Sequence, residues 1–84
     1  MAKIEIYTTP ICGFCQKAKR LLTEKAVEYI EIDLFTDSDR RAEMIKRANG
    51  SRTVPQIFIN GTHIGGCDDL YAIDRSGNLD QLLS

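Results

Sequence analysis

Neither charge predominates in this sequence, no apolar run is long, and cysteines are few and odd in number. Net charge is −1 over 84 residues, so bulk electrostatics give no reason to expect nucleic acid or an anionic membrane surface as a partner. No stretch approaches the roughly 18 apolar residues of a membrane span, and the opening MAKIEIY lacks the extended apolar core of a signal peptide. Internal repeats, low-complexity segments and linkers are absent, and a chain this short has no room for a second core. Residues 1–84 are therefore expected to form one domain. Three cysteines fit poorly with a secreted disulfide framework. The reducing cytoplasm is the expected compartment.

What is present is an ordinary globular composition, 43% hydrophobic and 27% charged, too apolar for disorder. Its charges are unevenly spread. Lys17, Lys19, Arg20 and Lys25 follow the first cysteines, and Arg40, Arg41, Lys46, Arg47 and Arg52 fill the middle. Beyond Arg52 only Arg75 is basic, against Asp68, Asp69, Asp74 and Asp80.

Hydrophobic periodicity orders the chain. Lys3-Ile4-Glu5-Ile6-Tyr7 alternates with period two and predicts a strand, which TTP then breaks. From Gly13 to Lys25, Ala18, Leu21 and Leu22 follow helical spacing beneath a polar face of Lys17, Lys19, Arg20 and Glu24. VEYIEID, rich in β-branched and aromatic residues, predicts a second strand. Thr36-x-x-Asp39 fits a capping box for a helix that turns Ala42, Ile45 and Ala48 inward and stops at Asn49-Gly50. QIFI and THI flank Asn60-Gly61, a strong hairpin signal. A third helix is expected from CDDLYAIDR, with LDQLL as a last turn.

The order is thus β-α-β-α-β-β-α. The βαβ unit requires parallel strands and the hairpin an antiparallel pair. These elements make an α/β four-stranded mixed sheet with helices on both faces, an arrangement similar to the small version of the thioredoxin fold.

Cys12 and Cys15 stand three apart where the first strand gives way to a helix. At that helix N-terminus Cys12 meets unpaired backbone N–H groups and the positive end of the macrodipole, which favour a thiolate. Lys17 and Lys19 are placed to assist from farther away. Cys15 falls one turn later, on the side facing Cys12 and Ala18, and is expected to be less exposed. Cys12 then attacks and Cys15 resolves. Two other readings compete. A structural pair would sit in an apolar setting without a positive helix end. A zinc site of Cys12, Cys15, His63 and Cys67 would need its halves far farther apart than the roughly 12–20 residues of common zinc motifs. His63 reads more simply as a half-exposed hairpin residue.

The cysteine pair opening the first helix, TVPQIFI at 53–59 and GGCDD at 65–69 together resemble the glutaredoxin family. The likeness to its small bacterial dithiol members is nearly continuous from EMIKRANGS onward and covers essentially the whole chain. The resemblance implies a glutathione site. Pro55 matches a proline that is cis in the family, where an X-Pro bond gives up only about 0.5–1 kcal/mol. Val54 would then face Cys12 and pair its backbone with the cysteine residue of glutathione, with Thr53 along the same groove. Gly66, Cys67 and Asp68 match the seat of the γ-glutamyl group, where helix-opening N–H groups receive a carboxylate and Asp68 the ammonium. Asp68 also suits an N-cap, and Cys67 reads as a small buried residue. Phe14 supplies an aromatic wall.

Three positions depart from the family pattern. Thr9 stands where a lysine usually lies, and Arg40 and Arg41 are candidates to replace it. Gly13-Phe14 replaces Pro-Tyr, resembling the monothiol glutaredoxins that hold glutathione-ligated [2Fe-2S] clusters between two subunits. Cys15 and the absence of tryptophan, hence of that class's Trp-Pro signature, speak for the dithiol enzyme instead. The resemblance therefore implies a monomeric glutathione-dependent oxidoreductase acting on protein disulfides and glutathionylated proteins, with no nucleic acid, membrane or resident metal. The alternative is a homodimeric cluster carrier. A thioredoxin-like hydrogen donor is a lesser one.

Overall fold

Alternating side chains in the first segment build β1 (Ile4–Thr8), the strand around which the computed structural model, describing residues 2–84, is organised. It pairs in parallel with β2 (Ile30–Asp33) and antiparallel with β3 (Gln56–Ile59), and β3 pairs antiparallel with β4 (Thr62–Gly65). The sheet order is β2-β1-β3-β4. This is the expected mixed sheet. The β3–β4 turn holds Asn60 and Gly61 at φ 52° and 80°, the doubly left-handed geometry that Asn-Gly tolerates. Phe58 pairs with His63 in regular register, and a bulge beyond it moves the partner of Ile57 to Gly65.

Helices cover both faces. Helix α1 (Gly13–Glu24), α3 (Cys67–Arg75) and α4 (Leu79–Leu83) enclose one core, in which Ile4, Ile6, Ile57 and Ile59 meet Ala18, Leu21, Leu22, Leu70 and Leu79. On the opposite face α2 (Arg41–Arg47) packs near Tyr7, Ile32, Leu34 and Phe58 through Met44 and Ala48. None of these helices is long and apolar enough to cross a membrane.

Three local expectations are corrected. The second strand is only Ile30–Asp33, because Ala26 leaves α1 at φ 59° and the chain from Val27 is still returning to the sheet. Thr36 and Asp39 form no capping box. The Thr36 hydroxyl donates back to the Asp33 carbonyl at 3.1 Å, and a 3-10 turn over Ser38–Arg40 leads into α2. That delayed start rotates the helix, so Ala42 is exposed and Met44 is the buried residue, one turn before Ala48.

A polar brace ties α2 to β1. Arg47 donates to Glu5 at 2.9 and 3.4 Å and to the Tyr7 hydroxyl at 2.8 Å, while its guanidinium lies 4.1 Å from the Phe58 ring centroid. The Tyr7 hydroxyl in turn donates to Glu43, which Arg40 pairs at 2.7 Å. The last residue of α2 is thus fixed directly to the sheet, at the point where the chain leaves for the 51–55 turn.

Candidate active site

The C-terminal end of β1 delivers the chain into the first turn of α1. Cys12 is the N-cap, with extended backbone (φ −143°, ψ 106°), and its carbonyl accepts the Gln16 N–H at 3.1 Å. Its sulfur takes the place a serine or aspartate oxygen usually fills: the Cys15 N–H donates to Cys12 Sγ at 3.1 Å. The Cys12 side chain is half-buried, whereas Cys15 has no exposed surface. Burial, and then its neighbour Cys12, pushes the Cys15 thiol up to about 12. One sulfur is accessible and held by a backbone donor; the other is sealed and kept protonated.

The flanking lysines are engaged elsewhere. Lys19 pairs with Glu31 at 2.9 Å, and Lys17 sits 4.9 Å from the Tyr71 ring centroid. Cys67 is buried at the start of α3, and that burial raises its thiol against the pull of nearby Lys17.

Opposite Cys12 runs the turn between α2 and β3. Its Val54–Pro55 bond is cis, and the Val54 carbonyl lies 3.8 Å from Cys12 Sγ. Among the described residues the Val54 N–H has no partner. From there a groove of about 410 Å³ extends away from the cysteine. It is lined by Phe14, Thr53, Val54, Pro55, Gly66, Cys67 and Asp68, so one surface collects residues from three separate stretches of sequence. Phe14, 60% exposed, stands at the α1 side. Gly66 brings α3 close to the turn; a Cβ there would stand 3.5 Å from the Pro55 carbonyl oxygen.

The N-cap of α3 is Gly66, not Asp68, and Asp69 at the third helical position reaches back to it. The Gly66 N–H donates to Asp69 Oδ2 at 2.9 Å, and a Cβ on Gly65 (φ +121°) would run into the same carboxylate. Asp68 is left exposed on the groove, clear of the cap. Arg40 and Arg41 do not line the groove. Arg40 is taken by Glu43, and Arg41 donates to the Arg52 carbonyl at 3.4 Å. Gln56, His63, Ser51, Gly65 and Asp69 also line the groove, and no pattern along the sequence marks them for it. Among the described residues no three His, Cys, Asp or Glu side chains converge as a metal site, so Cys12, Cys15, His63 and Cys67 do not assemble into one.

A family model for glutaredoxin matches residues 4–64. The chain belongs to the glutaredoxin family. It is 54% identical over 83 residues to Glutaredoxin 3 of Escherichia coli, covering 99% of both chains. It is 55% identical over 82 residues to a probable glutaredoxin of Synechocystis, covering 98% of this chain and 93% of that one. Among solved structures, a buckwheat glutaredoxin–glutathione complex superposes with a TM-score of 0.90 at 34% identity, over 98% of this chain and 76% of the other. The fold is thioredoxin-like, and the protein is a thiol–disulfide oxidoreductase.

Proposed function

We propose that this protein uses glutathione to reduce protein disulfides and glutathionylated proteins, with Cys12 as nucleophile and Cys15 as resolving thiol. The observation that carries the reading is the position of Cys12 Sγ, held by the Cys15 N–H at 3.1 Å and facing the Val54 backbone at the mouth of the groove. The Cys12 thiolate attacks the glutathione sulfur of a mixed disulfide, and the substrate thiolate leaves. A second glutathione thiolate then attacks the Cys12-bound sulfur, giving glutathione disulfide and restoring Cys12. With a protein disulfide, Cys15 attacks the mixed disulfide on Cys12, the substrate leaves as dithiol, and two glutathiones reduce the Cys12–Cys15 bond.

The groove supports glutathione as the ligand. The unpartnered Val54 N–H and its carbonyl offer a peptide edge to the cysteinyl residue. The amides of Cys67 and Asp68, at the first two positions of a nine-residue helix where no intrahelical acceptor exists, favour the γ-glutamyl carboxylate. The exposed Asp68 carboxylate suits the ammonium beside it, and Phe14 and Thr53 form the walls. The buckwheat relative was solved with glutathione. In this reading the chain acts as a monomeric single domain in the reducing cytoplasm.

The test is a glutathione-coupled assay on two variants. Cys12→Ser should abolish activity on both substrate classes. Cys15→Ser should spare deglutathionylation and lose the intramolecular route; full activity in Cys12→Ser overturns the assignment.

A second reading, a [2Fe-2S] carrier, is favoured by Gly13-Phe14, the pair that resembles the cluster-holding monothiol members, although a Cβ at Gly13 would meet nothing within 4 Å. The donor set fits it only in part. Cys12 is the single cysteine that is not buried, so four thiolates require a second copy and two external thiols. Anaerobic reconstitution with iron, sulfide and glutathione separates the two: a coloured dimer supports the carrier, a colourless monomer the enzyme alone.

A further inference from the structure

Beneath the Thr53–Pro55 turn lies a polar relay that the thiol chemistry does not use. Gln56, the first residue of β3, is only 3% exposed, yet its carboxamide is fully engaged. Its Nε2 donates to the Thr53 carbonyl at 3.0 Å and reaches the Thr53 hydroxyl at 3.4 Å, while Oε1 lies 2.7 Å from His63 Nε2. The chemistry fixes the direction of each bond. A backbone carbonyl only accepts, so the amide nitrogen must face Thr53 and the amide oxygen must face His63. Two acceptors cannot pair, and His63 Nε2 therefore carries a proton.

His63 is itself held in place. It pairs with Phe58 across β3 and β4, and the two rings lie 5.1 Å apart at 33°. The far neighbour of Phe58 is Arg47, the anchor of α2. The imidazole thus has a fixed seat from which to hold the carboxamide.

We propose that His63 is a positioning residue for ligand binding: its Nε2–H locks Gln56, and Gln56 locks Thr53 and with it the Val54 edge that faces Cys12. The inference rests on the reading that glutathione pairs with that edge. Without the imidazole N–H, the buried amide oxygen is left unpaired, and burial makes such a vacancy costly. The carboxamide is then driven to rotate toward water, which releases the Thr53 carbonyl. The Val54 edge loses its fixed orientation while the thiol chemistry, on another element, stays intact. Affinity for the glutathionyl group falls and turnover does not.

The test uses the full chain, with KM and kcat for a glutathionylated peptide and the thermal midpoint measured together. His63→Phe keeps an aromatic ring on Phe58 and removes the donor; it should raise KM about three- to tenfold, with kcat within about twofold of the parent. His63→Gln, which returns an N–H near the same place, should restore KM to within about twofold. Gln56→Met with His63 intact should reproduce the His63→Phe effect and carries the same expectation if that variant folds poorly. The double variant should be no worse than Gln56→Met alone, since both act through one chain of bonds. A lower thermal midpoint with unchanged KM in His63→Phe or Gln56→Met would make the relay a mere strand tie and overturn the proposal, as would failure of His63→Gln to rescue. Asp68→Asn is the reference. A KM raised by Asp68→Asn but not by His63→Phe defeats this proposal alone, and a KM raised by neither defeats the glutathione reading of the groove.

Discussion

The backbone N–H of Cys15 points at the sulfur of Cys12 from 3.1 Å, while the Cys15 sulfur has no exposed surface. One residue therefore serves its neighbour twice, as a hydrogen-bond donor through its amide and as a reserve thiol through its side chain. The two cysteines of the motif are chemically unequal as a result. At pH 8 a thiol at about 12 is ionised to only about one part in ten thousand.

Alkylation should reveal this directly. With iodoacetamide at pH 8, the native reduced protein should gain one adduct quickly, on Cys12, with Cys15 and Cys67 following only on unfolding. Peptide mass spectrometry reads the site. Rapid native labelling of Cys15 would contradict the burial that separates the pair.

The same inequality predicts a pH dependence of stability. The Cys15 thiol is raised in the folded state, chiefly by burial, from an ordinary 9.0 to about 12. Below pH 9 it is protonated whether folded or not, and its contribution is fully present. As pH rises from about 9 toward 12 the unfolded chain releases the proton first, so that contribution is lost. The thermal midpoint of the parent should fall more steeply between pH 9 and pH 11 than that of Cys15→Ala. Parallel slopes in calorimetry would show that other groups govern the alkaline loss.

Much of this molecule was legible where the determining physics is local. The spacing of Ala18, Leu21 and Leu22 gave the buried face of α1, and Asn60-Gly61 has little choice but a left-handed turn. Cys12 and Cys15 could be ranked because Cys15 shares the helix face of Ala18 and Leu22, which the sheet buries, whereas Cys12 stands at the helix end. What escaped depends on where a helix begins in three dimensions. The 3-10 turn before Arg41 shifted the inward face from Ala42 to Met44, and Thr36 spent its hydroxyl on Asp33. The start of α3 at Cys67 was anticipated, but with two adjacent aspartates it was Asp69 that turned back to the Gly66 N-cap and Asp68 that stayed free of it. Gln56 and His63 meet across a bulged hairpin, a contact no linear pattern announces.

Asp68 and Asp69 should separate cleanly on mutation. Asp69→Ala removes the acceptor of the Gly66 N–H and should cost about 1 kcal/mol, or roughly 4–8 °C in a domain of this size. Asp68→Asn leaves the cap untouched and should keep the thermal midpoint while raising KM for glutathionylated peptide several-fold. Differential scanning fluorimetry and the coupled assay decide it; reversed phenotypes would return the cap to Asp68.

Arg47 offers the corresponding test on the opposite face of the sheet. Its guanidinium makes two bonds to Glu5, one to the Tyr7 hydroxyl, and lies over Phe58. In Arg47→Met the Tyr7 hydroxyl keeps Glu43 as a partner, so the main loss falls on Glu5, whose side chain is only 13% exposed. That variant should be less stable by about 1–3 kcal/mol at pH 7. The hydrogen bond from Arg47 holds the Glu5 carboxyl below its ordinary 4.5 despite partial burial. A lowered carboxylate contributes stability above the unfolded value, and that contribution disappears as pH falls through the folded one. The gap between parent and Arg47→Met should therefore be widest above pH 5 and narrow steadily as pH drops below 4.5. Urea unfolding at pH 7 and pH 3 measures it, and a gap of equal size at both would assign the effect to packing on Phe58 rather than to the Glu5 pair.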